Sequence, residues 1–152
     1  MTRIWTLAYW LGTALGLAVV LAGGAYAALA YAVAVAPFRG VAFDPGRWQA
    51  VWHCGGESDP DCALRRAACP RGPMVADLID RHLSPGGLDR DGVRALLGAP
   101  DARGPQILRG TRHADCDQVM LGMCGGFGVD WDSLLICYAP GGRVAAAGHV
   151  RR

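Results

Sequence analysis

Lysine and asparagine are both absent from the 152 residues, so all fifteen basic side chains are arginine. That skew reads as coding bias, of the kind a GC-rich bacterial genome produces. Basic and acidic residues nearly cancel, leaving a formal net charge of +2. A balance of this kind excludes the strong positive field that nucleic-acid binding requires. Charge is missing altogether from 4 to 38. No two cysteines stand in a Cys-x-x-Cys pair, and the chain has no serine nucleophile elbow, phosphate loop or HExxH motif. The usual signatures of thiol redox enzymes, hydrolases, nucleotide binders and zinc proteases are therefore lacking. One further absence concerns Leu21-Ala22-Gly23-Gly24. It follows a bacterial lipoprotein processing box except at its last position, where Gly24 offers no thiol to acylate.

The uncharged run bears on compartment first. A bilayer core of about 30 Å needs about 20 apolar residues in a helix, and residues 4–36 exceed that. Two readings stay open. An uncleaved anchor is favoured by the length. A cleaved secretion signal would use the small-x-small sites at Ala25-Tyr26-Ala27 or Ala28-Leu29-Ala30. Trp5, Tyr9 and Trp10 toward one end, and Tyr31 and Phe38 toward the other, resemble interfacial aromatic belts. Gly12 and Gly16 form a small-xxx-small pair that would allow a weak homodimer. Arginines flank the run on both sides, so the positive-inside rule does not orient it.

Orientation comes from the six cysteines, Cys54, Cys62, Cys69, Cys116, Cys124 and Cys137, which all follow the apolar run. An even number in a small exported domain implies disulfides and an oxidising compartment. The expectation is an inner-membrane, single-pass protein with its C-terminal domain in the periplasm, or a periplasmic protein after signal cleavage. Cys124 and Cys137 are the preferred pair, since they fall on adjacent expected strands. Cys54, Cys62, Cys69 and Cys116 leave three connectivities open.

Periodicity divides the chain into an anchor or signal segment at 1–38, a Cys/Pro/Gly-rich linker region at 39–73, and a domain at 74–152. A short helix is expected at 61–68. Met74, Leu78, Ile79 and Leu83 share one face of a helix over 74–83. A second helix over 88–97 has Asp89 as its N-cap and buries Val93, Leu96 and Leu97; Gly98 and Pro100 end it. Strands are expected at 118–124, 133–139 and 143–150, with a short one at 106–109. Pro140-Gly141-Gly142 turns the last two into a hairpin. The fold class is α+β: an N-terminal transmembrane helix, then two helices packed on a three-stranded antiparallel sheet.

The stretch GLDRDGVRALLGAPD at 87–101 resembles the SmpA/OmlA (BamE-like) family, through Gly87, Leu88, Val93, Leu96, Leu97, Gly98, Pro100 and Asp101. DSLLICYAPGGRV at 132–144 is similar to that family's strand–turn–strand ending. The resemblance covers roughly 74–150. It implies two helices on a three-stranded sheet and an envelope protein that works by protein contact, in relatives that help assemble outer-membrane barrels. The missing lipid-bearing cysteine, the long apolar segment and the six cysteines depart from that pattern.

Candidate chemistry is thin. His53-Cys54 with His113, Asp115 and Cys116 would be a mixed nitrogen–sulfur metal set, but only one fragment has workable spacing. Asp77 and Asp80 lie at i, i+3 on a helix and read as a solvated face. Asp130 and Asp132 are too few carboxylates for calcium. Phe127 and Trp131, in the glycine-rich loop 125–132, are the protein-contact candidates, with Trp131 expected to be the more exposed. The functional expectation is a non-enzymatic, membrane-tethered binding or scaffolding module of the bacterial envelope. It needs no metal and no cofactor, contacts other envelope proteins and binds no nucleic acid. The alternative is an exported metal-binding or thiol-active protein using the Cys/His set.

Overall fold

The computed structural model describes residues 2–50, 64, 67–125 and 130–151, with side chains in the N-terminal helix described from residue 10 onward. That helix, α1 (Thr2–Ala34), is a single uninterrupted rod. The stretch Trp10–Phe38 has a hydropathy of 2.0, and none of its apolar window is buried in the protein. Helix α1 is thus long and apolar enough to cross a membrane, and a secretion signal meets the same test. Pro37 enters a 3-10 turn over Ala36–Phe38 that ends the rod, and Phe38 drops into the core of the following domain.

Asp44 and Pro45 start a short helix that the sequence reading did not anticipate, α2 (Pro45–Ala50). The Asp44 carboxylate accepts from the Arg47 backbone N–H at 2.7 Å, and Pro45 supplies a φ already suited to a first helical turn. The reward for this turn is Trp48, which is fully buried. After a 3-10 turn at Gly72–Met74 come α3 (Val75–His82) and α4 (Arg90–Leu97), both close to where periodicity placed them. Asp89 caps α4 as expected, accepting from Gly92 N–H at 2.9 Å. Gly98, at φ 90°, closes it in a conformation a side chain would resist.

Four strands form an antiparallel meander in the order β1 (Ala102–Leu108), β2 (Thr111–Gly122), β3 (Asp132–Tyr138), β4 (Val144–Arg151). The three-stranded expectation is corrected on this point. The added strand overlaps the short one expected at 106–109 but starts earlier, at Ala102, and runs through Gly104 and Pro105. Register in fact skips between Gly104 and Gln106, and Pro105 sits at that irregularity on an edge strand, where a missing N–H is tolerated. The Pro140–Gly142 turn joins β3 to β4 as expected, with Gly142 N–H donating to Ala139 O at 2.8 Å.

The helices cover one face of the sheet. Val119, Leu121, Leu134, Ile136 and Tyr138 point at Met74, Val75, Leu78, Val93 and Leu97. The region expected to be linker joins the same core, with Trp48 buried and Val41 and Phe43 packed there, and so does Phe38 from the end of the expected anchor segment. The opposite face holds a smaller cluster of Leu108, Cys116, Leu135 and Cys137. The α3–α4 loop is pinned to the start of β4, where the Arg143 guanidinium donates to Gly86 O at 3.1 Å and to Gly87 O at 2.7 Å.

Candidate functional site

Three structural features could carry function: the disulfides, a buried charge cluster, and the junction between α1 and the domain. The disulfides correct the sequence reading. Cys137 is bonded to Cys116, not to Cys124, and Cys124 is bonded to Cys69. The physical reason is register. Strand β2 begins at Thr111 rather than near Gln118, so Cys116 lies opposite Cys137 in the ladder, with Cα atoms 4.0 Å apart. Cys124 falls beyond the end of β2, where it meets the chain entering α3. Cys54 and Cys62, like His53 and most of the expected 61–68 helix, lie outside the described residues.

Bridging removes Cys116 from the metal set of the alternative reading. Among the described residues no three His, Cys, Asp or Glu side chains converge as metal ligands. Asp77 is not the solvated carboxylate expected of it. One oxygen accepts from Phe43 N–H at 2.8 Å and the other meets Arg81 at 2.8 Å, so Asp77 ties the chain after α1 to α3. Asp80 remains exposed. Asp132 is buried, and its carboxylate accepts from the backbone N–H of Cys124 at 2.9 Å and of Gly125 at 2.8 Å. It therefore pins both ends of the glycine-rich loop. Trp131, beside it, is 38% exposed; Phe127 lies outside the described residues.

Sequence reasoning missed the charge cluster on the helix-covered face. Asp117 is buried, with one oxygen accepting from Tyr138 O–H at 3.1 Å and standing 3.6 Å from Arg90 Nε; the other stands 3.2 Å from Arg103 Nε. Arg90 lies over the Tyr138 ring at 4.2 Å and donates to Asp115 at 2.6 Å. The Asp115 hydrogen bond, opposed by burial and aided by the Asp117 charge, pushes the Arg90 guanidinium up from an already high ordinary pKa. Burial, reinforced by the facing Asp117 carboxylate, pushes the Tyr138 phenol up, so it stays neutral and remains a donor. The cluster locks α4 onto β2 and β3.

At the junction, the domain sits directly against the end of the apolar helix. The Phe38 ring stacks on His149 of β4, with centroids 3.9 Å apart. A Cβ on Gly125 would come within 3.1 Å of Val33 O, and one on Gly72 within 2.9 Å of Pro37 O as well as into Cys69 Sγ. Gly72→Ala is therefore expected to cost about 1–3 kcal/mol by overpacking, measurable as a lowered thermal midpoint in detergent. Burial pushes His149 down from its ordinary pKa, helped by Arg151 and Arg109 and opposed by Asp132. The unfolded chain then binds the proton more readily than the folded one, so stability is lost as pH falls below about 6.5. Urea unfolding at a series of pH values should show this slope. His149→Phe, which keeps a ring against Phe38, should flatten it.

Two cavities flank these elements. One, of about 450 Å³, lies on the sheet's second face and is lined by Pro105, Ile107, Arg112, Leu135 and Val150, with contributions from both edge strands. The other, of about 270 Å³, lies at the junction. No family model matches this chain, and neither curated proteins nor solved structures give a match.

Proposed function

We propose that this is a non-enzymatic, single-pass membrane protein of the bacterial envelope, whose disulfide-bonded α+β domain binds or scaffolds other envelope proteins on the periplasmic side. The observation that carries the reading is the length of α1, a single apolar helix of 33 residues. The exposed apolar rod runs to Ala34, and the 3-10 turn that ends it places Phe38 in the domain's own core. Phe38 lies after both small-x-small sites and would survive cleavage, so what favours the anchor is length: α1 runs as one helix through and past those sites, well beyond the roughly 7–15 apolar residues of a secretion signal. Helix α1 then does the tethering that a lipid would do at Gly24. The two disulfides support an extracytoplasmic domain. The 87–101 resemblance to SmpA/OmlA proteins supports envelope assembly as the process. Trp131, half-exposed beside a loop anchored by Asp132, is the contact residue in this reading, with Phe127 its companion. Gly12 and Gly16, with open space beside them, are where a second copy would meet the tether.

The test is the state of the protein in bacterial membranes. The full chain should stay in the membrane pellet at alkaline carbonate, and its mature N-terminus should precede α1. A mature chain starting near Ala28 would overturn the anchor. A photo-crosslinker at Trp131 should give a discrete protein adduct in intact cells. Failure to form one while the protein stays in the pellet would overturn the contact surface alone.

A further inference from the structure

We propose that the cavity at the junction binds the phosphate-bearing headgroup of an anionic membrane phospholipid; this rests on α1 being a membrane anchor. The first support is position. Ala34 and Val35, the end of the apolar helix, form part of the cavity wall. The apolar run ends at Phe38 and the first charge after it is Arg39, so in an α1 that crosses the bilayer the cavity lies on the headgroup side of the span.

The second support is chemistry. The wall is amphipathic: Val35, Phe38 and Ile79 are apolar, while Arg39, Arg109, His149 and Asp80 are polar. Two guanidinium groups against one carboxylate leave the rim positive. Neither Arg39 nor Arg109 forms an ion pair with a described residue, whereas Arg81, Arg90, Arg103 and Arg151 all do. Guanidinium groups present paired donors that match phosphate oxygens, and the apolar wall suits the glycerol and upper acyl carbons.

The third support is backbone geometry. Arg109 is the first residue of the two-residue turn between β1 and β2 and has φ 50°, followed by Gly110 at φ 79°. Turns of this kind favour asparagine or glycine at that position. Arginine there gives up local backbone comfort, and what it gains is a guanidinium at the cavity rim.

The experiment uses the full chain in nanodiscs of phosphatidylcholine, with or without cardiolipin, released for native mass spectrometry. One retained cardiolipin is expected in preference to phosphatidylcholine. Removing either arginine should lower retention about five-fold, the effect of one basic residue near an anionic surface. The variants are Arg39→Gln and Arg109→Asn. The second suits the turn better than arginine does, so loss of binding there is not loss of folding. Equal retention of both lipids, or variants that retain cardiolipin like the parent, would overturn the proposal. So would full displacement of the lipid by inorganic phosphate, which would mark a small-anion site. Carbonate extraction of the bacterial membranes from which the protein is purified separates this failure from failure of the anchor. A protein that leaves the membrane pellet has lost the anchor reading, and one that stays without selecting cardiolipin has lost only the headgroup site.

Discussion

Serine at both Cys69 and Cys124 is expected to lower stability by about 4 kcal/mol, and serine at both Cys116 and Cys137 by about 3 kcal/mol, from loop-closure entropy alone. The order follows from chain separation, which is 55 residues for the first bridge and 21 for the second. Urea unfolding of the detergent-solubilised protein, with and without each bridge, gives both numbers. The two bridges also do different structural work. Cys116–Cys137 joins neighbouring strands already held by ladder hydrogen bonds. Cys69–Cys124 joins the chain entering α3 to the loop leaving β2, and the loss of Gly72 packing against it would add to the entropic cost. A larger loss for Cys116–Cys137 would mean that the unfolded-state argument does not govern this domain. In the presence of reductant the parent should melt earlier and the two variants should converge on it, because a domain with so little core depends on its crosslinks.

What could be read beforehand was what local chemistry decides. Asp89 before a polar-apolar run, Gly98 and Pro100 after it, and Pro140-Gly141-Gly142 between apolar runs each fix a few backbone angles without help from the rest of the chain. Helix α4 and the β3–β4 hairpin came out where those signals put them. Asp44-Pro45 was an equally local signal for α2, hidden in a stretch dominated by proline and glycine. The disulfide map was not local. Moving the start of β2 from Gln118 back to Thr111 exchanges the partner of Cys137, and polar residues such as His113 and Asp115 made that half of the strand look like a loop. The charge cluster was hidden for the same reason. Asp117, Tyr138 and Arg90 are far apart in sequence, and only the β2–β3 register puts the first two on the face that α4 covers. The junction was invisible because nothing in the apolar run reveals that Phe38 finds His149 more than a hundred residues later.

That hidden cluster carries the second large effect. Asp117→Ala is expected to cost about 3 kcal/mol, the low end of the range for removing one partner of a buried ion pair. The low end is appropriate because Arg90 and Arg103 are partly exposed and can recover water, while Asp115 still holds Arg90. The buried Tyr138 hydroxyl loses its acceptor with Asp117 and keeps only its contact with Arg90. A Tyr138→Phe change made on top of Asp117→Ala should therefore cost less than the same change in the parent protein, because the hydrogen bond it would remove is already gone. Equilibrium unfolding of the two single variants and the double variant measures this coupling directly. Alkali provides an independent check. The Tyr138 phenol is held above its ordinary pKa, so the folded state binds that proton more tightly than the unfolded one. Its contribution is full below about pH 10 and is lost as pH rises above that value. The parent should lose stability over that alkaline range, and Tyr138→Phe should lose less. If the parent and Tyr138→Phe decline in parallel with pH, the phenol is not in the environment that Asp117 and burial define, and the cluster does not hold α4 to the sheet in the way the distances imply.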